Sequence, residues 1–198
     1  AAGTMNSTTN ITVHVPGPLR AYCDGASSLP LAAHTVRDAL AALARRTYAD
    51  AFGHSLSPSD LAAHLAGNLS DARVLAFLDE DTVLVAESDA GLVGYIQCGA
   101  LRPDFFDVEI APGDCELRRV FVLAAHQGRG IGAQLIDAAL ALPAMRAAPH
   151  VYLDVWDENR GAQKLYERYG FVAIGNRAFA VASGAETSFD VIMVRKRR

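Results

Sequence analysis

Three glycines stand between a strand pattern and a helix pattern in the middle of the chain. The strand pattern covers Glu116–Leu123, the glycines lie within Gln127–Gly132, and an apolar helical stripe begins at Ile131. Glycine lets the main chain approach an anion closely, and the free N–H groups of a helix N-terminus supply hydrogen-bond donors. Arg129 adds a positive charge. The segment therefore predicts a phosphate or pyrophosphate site, with a turn that only permits tight strand–helix packing as the alternative.

Two common nucleotide-binding patterns fit this segment less well. The triphosphate-binding pattern G-x-x-x-x-G-K-[ST] does not occur in the sequence. Gly128-x-Gly130-x-x-Ala133 satisfies the dinucleotide pattern, and Asp154 follows at about the expected twenty residues. However, too little chain follows Gly132 to build a doubly wound sheet, and Asp154 lies inside a strand pattern rather than at its end. We therefore expect neither triphosphate hydrolysis nor a dinucleotide cofactor.

The hydrophobic periodicity changes repeatedly between that of a strand and that of a helix. Thr82–Glu87 and Leu92–Ala100, joined by Ser88–Gly91, predict a β-hairpin. In the second half a strand, a helix and a strand follow one another, which requires two parallel neighbours in an otherwise mostly antiparallel sheet. The sequence thus predicts a mixed α/β fold. The other expected strands cover Ile11–Val15, Leu19–Cys23, Glu116–Leu123, Val151–Trp156, Phe171–Ala180 and Ser188–Arg195.

Local sequence signals predict where several helices begin and end. Ser57-Pro58-Ser59-Asp60 has the N-cap, N1 proline and capping-box spacing of a helix start. Pro143 is expected to end the helix that begins at Ile131, and Gly53 to end the first helix. The remaining expected helices cover Leu31–Ala51, Asp71–Leu78 with Asp71 as its cap, and Asn159–Tyr169.

The sequence resembles the GNAT superfamily of acyl-CoA-dependent N-acetyltransferases. Gln127-x-x-Gly130-x-Gly132 matches that family's signature [QR]-x-x-G-x-[GA], and Asp157-Glu-Asn159-x-x-Ala162-x-x-x-Tyr166-x-x-x-Gly170-Phe171 is similar to its second cofactor element. The resemblance implies a twisted, mostly antiparallel central sheet flanked by helices, with one parallel strand pair splayed around the acyl-CoA site. It covers residues 82–195 well and 31–70 loosely.

The same resemblance implies acetyl-CoA as co-substrate and direct attack by a primary amine in a ternary complex. The residues that it assigns to the coenzyme are Val120, Phe121, Val122, Leu123, Gln127, Gly128, Arg129, Gly130, Ile131, Gly132, Asn159, Ala162 and Tyr166. Backbone N–H groups around Val122–Leu123 are expected to polarise the thioester carbonyl. Asn159 has a second interpretation, as the N-cap of its helix.

Amide formation also needs proton transfer, because an alkyl amine is almost wholly protonated at neutral pH. By analogy with several relatives, Glu116 is the expected general base and Tyr166 the general acid toward the departing thiolate. The alternatives are a strand-end Glu116 paired with Arg118 on the same strand face, and Tyr166 as a core aromatic. Asp114 and Glu109 are weaker substitutes for the base.

The resemblance implies that two segments form the acceptor pocket. One lies between the first two helices and contains Tyr48, Phe52, His54 and Leu56, and the other is the turn before the last strand, Arg177–Ser188. Tyr48, Phe52, Glu116 and Trp156 are the candidate substrate-binding residues. The second half of the chain looks most like bacterial polyamine acetyltransferases, which implies a small cationic amine. A protein N-terminus or lysine, an antibiotic amine, and a non-catalytic acyl-CoA sensor stay open as alternatives.

Charge and composition exclude other classes of partner. With 18 basic and 22 acidic residues, a net charge of −4 argues against nucleic acid, and the basic Arg195–Arg198 run is expected to be a solvated tail. The sequence contains no uninterrupted apolar run of about 18 residues, so it predicts no membrane-spanning helix. Three cysteines without a C-x-x-C pair favour a reducing cytoplasm, and the six histidines form no metal-ligand pattern.

We expect one domain over residues 6–198, preceded by residues 1–5 as a short leader left from expression, not a signal peptide, that ends in the start Met5. A homodimer is an expectation from the resemblance alone.

Overall fold

The computed structural model describes residues 11–14, 28–31, 33–88, 91–106, 108–180 and 187–197. Within these ranges the helices are α1 (Ala33–Phe52), α2 (Pro58–Asn68), α3 (Asp71–Glu80), α4 (Ile131–Leu140), α5 (Pro143–Ala147) and α6 (Arg160–Arg168). The strands are β1 (Ile11–His14), β2 (Ser28–Leu31), β3 (Thr82–Ser88), β4 (Gly91–Ala100), β5 (Cys115–Val122), β6 (His150–Trp156), β7 (Val172–Ala180) and β8 (Thr187–Lys196).

Six strands form one sheet in the order β3-β4-β5-β6-β8-β7, while β1 and β2 form a separate antiparallel pair. Every neighbouring pair in the large sheet is antiparallel except β5 and β6, which are parallel. The predicted mixed α/β fold with one parallel pair is confirmed. Helix α4 makes the crossover between these two parallel strands, as a parallel connection requires.

Among the described residues, two large apolar cores lie on the two faces of the sheet, and a smaller cluster joins β6 and β8 to the loop after β4. On one face α4 and α6 pack against β4–β6, with Ile136 and Leu153 nearly or fully buried. On the other face α1 and α3 pack against β3–β5 through residues such as Leu40 and Tyr95. Side chains of β4 alternate between these cores, as the period of a strand requires.

The local signals at helix ends are mostly reproduced. Ser57 caps α2, since its Oγ accepts a hydrogen bond from the Asp60 N–H at 3.1 Å. Two expectations need correction. Ser70, not Asp71, caps α3, because the preceding residue has the extended backbone of an N-cap. Pro143 does not directly end α4, which stops at Leu140. Instead, Pro143 is the first residue of α5, a position where the backbone N–H has no partner within the helix and its absence in proline costs no hydrogen bond.

A β-bulge interrupts the pairing of β4 with β5. Gln97 faces Arg119 and Cys98 faces Leu117, so β5 carries Arg118 as an extra residue. A bulge of this kind breaks the strict alternation of side chains. The consecutive residues Arg118 and Arg119 both line the cleft described below. The expected strand Leu19–Cys23 and the leader at residues 1–5 lie outside the described residues.

Helix α4 must pack tightly for the loop before it to hold its shape. Ile136→Ala should lower the free energy of unfolding by about 3 kcal/mol, because it removes fully buried methyl groups and leaves a cavity. Chemical denaturation checks this value. Gln134→Ala on the exposed face of the same helix is the control, with an expected change below about 0.5 kcal/mol. Equal effects of the two substitutions would contradict the packing of α4.

Candidate active site

A cleft opens where the two parallel strands separate. β5 and β6 pair only at Cys115–Val151 and Glu116–Tyr152. Beyond these pairs the strands diverge, and a cleft of about 800 Å³ lies between them. Its walls are Leu117–Val122 of β5, Asp154–Asn159 at the end of β6, and side chains from α1, α2 and α6. The parallel pair thus provides both the start of the cleft and its two walls.

The main chain at the end of β5 makes a left-handed turn into α4. A short 3-10 turn, Ala124–His126, leads to Gly128 at φ +73° and Gly130 at φ +80°. Gly130 is the N-cap of α4, and no side chain caps this helix. The Gln127 side chain binds back to β5, donating from Nε2 to the Val122 carbonyl at 3.0 Å. The first N–H groups of α4 therefore keep their capacity to bind an anion.

The structure requires glycine at two of the three glycine positions in this loop. At Gly128 and Gly130 an added Cβ would meet no protein atom within 4 Å, so protein packing does not select glycine there. Their positive φ angles do, because L-residues with a side chain rarely adopt them. At Gly132 an added Cβ would make an ordinary 3.6 Å contact with Leu165. The first two positions leave open space beside the backbone that an anion can occupy.

Tyr166 lies on α6 and faces the cleft. Its side chain is buried, and none of the described residues forms a hydrogen bond with its hydroxyl group. Burial, and to a smaller extent the charge of Asp154, raises the pKa of the phenol far above its usual range. The hydroxyl therefore stays protonated at neutral pH and is a donor. Asn159 caps the same helix, accepting from the Ala162 N–H at 3.1 Å, and also lines the cleft.

Glu116 is fully buried and held by two arginines. Arg102 donates to both carboxylate oxygens, from Nη2 at 2.5 Å and from Nε at 3.1 Å, and Arg118 Nε lies 3.6 Å away. The contact with Arg118 is the one given as the alternative in the sequence analysis. Glu116 does not line the cleft, whereas both arginines do. The carboxylate thus lies behind its partners, away from the cleft surface.

Arg119 is the cleft arginine without a carboxylate partner among the described residues. Its Nη1 donates to Gln97 Oε1 at 2.5 Å, and its guanidinium lies 4.2 Å from the centre of the Phe77 ring. Burial lowers the pKa of this group, and the nearby charge of Arg102 adds to that effect. A partly buried guanidinium is stabilised by an anion, so the part of the cleft around Arg119 favours a negative group.

Aromatic side chains line the end of the cleft next to α1. Tyr48 stacks on His64 at 4.0 Å between ring centres, and Phe52 lies 4.7 Å from Tyr48 and 5.7 Å from Trp156. Burial lowers the pKa of His64, so the imidazole is neutral at neutral pH. Aromatic faces of this kind attract cations.

Carboxylates lie beside this aromatic wall. Asp190 of β8 stands directly opposite Trp156 on one side and Arg177 on the other. Arg177 donates to Asp154, and its nearest nitrogen lies 4.0 Å from Asp190. Burial, followed by the charge of Asp154, raises the pKa of Asp190 to about 6. The sequence analysis did not identify Asp190, because the cross-strand register that places it opposite Trp156 is not visible in a local pattern.

A comparison with known protein families identifies the fold. The model of the acetyltransferase (GNAT) family matches residues 39–171, two thirds of the chain. The chain belongs to the GNAT acetyltransferase family. It is an acetyl-CoA-dependent N-acetyltransferase, as the resemblance of Gln127–Gly132 and Asp157–Phe171 implied.

Individual relatives agree with this assignment. An uncharacterized N-acetyltransferase of Mycobacterium tuberculosis is 34% identical over 164 residues, which cover 82% of this chain and 98% of the relative. A spermine/spermidine N(1)-acetyltransferase of Bacillus subtilis is 30% identical over 46% of this chain and 59% of its own length. The PaiA N-acetyltransferase of Thermoplasma acidophilum, solved in complex with coenzyme A, superposes with a TM-score of 0.59 at 17% identity. That superposition covers 81% of this chain and 92% of the other.

The GNAT fold brings most of the predicted site residues to the cleft. Those that line it are Tyr48, Phe52, Val120, Phe121, Val122, Gln127, Trp156, Asn159, Ala162 and Tyr166. Gly128, Arg129, Gly130, Ile131 and Gly132 follow Gln127 beside the cleft without lining it, and Leu123 is buried in the core. Arg177 also lines the cleft, and it belongs to the segment expected to form the acceptor pocket. Residues that the sequence analysis missed are Arg102, Arg119 and Asp190.

The described residues fit coenzyme A in this GNAT cleft. The uncapped start of α4 and the open space at Gly128 and Gly130 suit a diphosphate, and the unpartnered Tyr166 hydroxyl suits a sulfur leaving group. Within the described ranges, none of the helices combines the length and apolar character needed to cross a bilayer. The same residues bring together no group of three or more His, Cys, Asp or Glu side chains that could hold a metal ion.

Replacing Gly130 tests the anion site of this GNAT enzyme. Gly130→Asp should weaken coenzyme A binding by about 100-fold or more, equivalent to about 2.8 kcal/mol, because it places a carboxylate where the diphosphate is expected. Isothermal titration calorimetry measures the affinity. Gly170→Asp is the matched control, since Gly170 has a similar φ of +82° and open space but follows the C-terminal end of α6 instead of capping the start of α4. Similar losses at both positions would show that backbone strain, not anion binding, explains the effect.

Proposed function

We propose that this GNAT enzyme acetylates a small cationic primary amine by direct attack within the cleft. The observation that carries this proposal is the shared cleft: the predicted coenzyme site at its β5 wall and an aromatic, acidic end next to α1 belong to one continuous space. An amine at that end has a direct path to a thioester between the diverging strands.

The cationic nature of the acceptor is supported by the side chains at that end. Tyr48, Phe52 and Trp156 offer ring faces, which attract a cation by about 0.5–2 kcal/mol each. Asp190, Asp157 and Glu158 add negative charge along the same wall. The Bacillus subtilis relative is named for spermine and spermidine, which are cations of this class. Polyamines are therefore the first acceptors to test.

Bound acetyl-CoA supplies an activated thioester carbonyl, and the chain supplies positioning and proton transfer. Of the two residues predicted to polarise that carbonyl, Leu123 has its N–H bonded to the Val93 carbonyl at 2.9 Å. This bond makes Val122 and Gly94 a non-hydrogen-bonded antiparallel pair, so the Val122 N–H points away from β4 and toward the gap. We assign the polarising donor to Val122.

The proton-transfer roles of Tyr166 and Glu116 remain predictions. A protonated, buried Tyr166 hydroxyl at the cleft suits the general acid. Glu116 suits the base less directly, because both its oxygens already accept charge-assisted hydrogen bonds and Arg102 and Arg118 separate it from the cleft surface. The expected homodimer, the cytoplasmic location and the absence of a nucleic-acid partner also stay predictions.

A second candidate acceptor carries an anionic group as well as its amine. Arg119 favours this candidate, because it lines the cleft and has no carboxylate partner among the described residues. An amino acid or an amine-bearing acidic antibiotic has this combination of charges. The two candidates differ in whether Arg119→Gln weakens acceptor binding.

An amine panel tests the proposed function. Coenzyme A release from acetyl-CoA is followed with spermidine, a diamine, lysine, neutral amino acids and a peptide with a free N-terminus. We expect spermidine or the diamine to give the highest kcat/KM, and Arg119→Gln to leave it nearly unchanged. Preference for an amino acid, with loss of that preference in Arg119→Gln, would support the second candidate. Coenzyme binding without turnover on any amine would instead indicate an acyl-CoA sensor.

Tyr166→Phe should lower kcat by about 100-fold while the KM for acetyl-CoA changes little, because the ring stays and only the proton donor is removed. Tyr169→Phe is the matched control, at the C-cap of the same helix. The Tyr169 hydroxyl donates to the Ala133 carbonyl at 2.9 Å, outside the cleft, so its loss should leave kcat unchanged. A Tyr166→Phe enzyme with wild-type kcat would rule out the general-acid role.

A further inference from the structure

We propose that Asp190 is the catalytic base, which binds the acceptor ammonium group and takes its proton. The proposal rests on the proposed function, because it requires an amine acceptor at the aromatic end of the cleft. It names a carboxylate that no sequence motif singled out, in place of Glu116.

The sheet places Asp190 at the centre of a row of three side chains. Arg177 on β7, Asp190 on β8 and Trp156 on β6 are paired directly across neighbouring strands, so their side chains share one face. Trp156 continues this row toward α1 through its 5.7 Å contact with Phe52. The carboxylate therefore lies beside the aromatic wall where a cationic amine is expected.

Asp190 has room for a new hydrogen-bond donor. Arg177, the nearest cation, is already used by Asp154 and by the Phe105 carbonyl, to which it donates at 2.5 Å. It comes no closer to Asp190 than 4.0 Å. Among the described residues, none donates a hydrogen bond to the Asp190 carboxylate, although only 19% of that side chain is exposed. A partly buried carboxylate in this state is stabilised by a donor such as an ammonium group.

The surroundings of Asp190 also suit proton transfer. Burial, together with the negative charges of Asp154 and Asp157 from the β6 side and against the opposing charge of Arg177 from β7, raises its pKa to about 6. On the α1 side burial, followed by the charge of Asp190, raises the pKa of Tyr48, which is therefore a neutral phenol. A base titrating near 6 is ionised at neutral pH and still accepts a proton better than an unperturbed aspartate.

The proton and electron balance of the step is simple. Asp190 takes one proton from R–NH3⁺ and becomes the neutral acid, which leaves R–NH2. The nitrogen lone pair then forms the C–N bond to the thioester carbon while the C–S bond breaks and its electron pair leaves with the sulfur. Tyr166 protonates the thiolate, and the second proton lost by the nitrogen restores the Tyr166 hydroxyl. Asp190 then gives its proton to solvent, so the overall reaction releases one proton.

The dependence of kcat/KM on pH tests this assignment with an amine that the wild-type enzyme acetylates. For the wild type, kcat/KM should rise with pH through an ionisation near 6. Asp190→Asn should lower kcat/KM at pH 7 by about 100-fold and remove that ionisation. Its remaining rate should increase tenfold per pH unit up to the pKa of the amine, because only the unprotonated fraction of the amine then reacts. Coenzyme affinity measured by calorimetry should stay within about threefold of wild type, which shows that the variant is folded.

Three further variants separate Asp190 from its neighbours. Asp154→Asn should move the ionisation to lower pH, because it removes a negative charge and releases Arg177 toward Asp190. Glu116→Gln should retain the ionisation near 6. Asp79→Asn, on the exposed face of α3, should leave the whole profile unchanged.

The outcomes distinguish this inference from the proposed function. Retention of the ionisation in Asp190→Asn, with its loss in Glu116→Gln, would overturn the inference and assign the base to Glu116, while amine acetylation itself would stand. A wild-type enzyme that binds coenzyme A but acetylates no amine would overturn the proposed function first.

Discussion

The separation of β5 from β6 after two residue pairs is the constraint on which the site depends. Parallel strands that stay paired leave no room between them, whereas these diverge beyond Glu116 and Tyr152 and open a cleft in the middle of the sheet. The divergence also leaves the Val122 N–H without a β6 partner, directed into the gap. The outer strands and the two cores support this opening, because β4 and β8 keep β5 and β6 paired on their far sides.

In the proposed reaction the two halves use different kinds of protein group. At the coenzyme end the expected donors are main-chain amides at the start of α4, and their geometry depends on Gly128, Gly130 and the absence of a side-chain cap. At the acceptor end side chains from several elements meet, including Tyr48, Trp156 and Asp190. A backbone site restricts sequence strongly, whereas a side-chain site can change with the acceptor while the fold stays the same.

This division explains what could be predicted from the sequence. The predicted coenzyme loop, Gln127–Gly132, is a local segment that depends on glycine, so its pattern could be recognised in the sequence. The caps at Ser57 and Asn159 could be recognised for the same reason. The acceptor end depends on long-range register: the bulge at Arg118 and the row that contains Asp190 arise from pairings between distant segments. The position of Glu116 on its strand was also predictable, but its enclosure by Arg102 was not, because Arg102 comes from the loop after β4.

A crystal structure of the chain with bound coenzyme A tests the central claim most directly. We predict that the diphosphate oxygens lie at hydrogen-bond distance, about 3 Å, from the main-chain N–H groups around Gly128–Gly132, with the pantetheine arm between β5 and β6. The sulfur should then lie near the Tyr166 hydroxyl group. A coenzyme bound outside the β5–β6 gap, with those amides in contact only with solvent, would contradict the account.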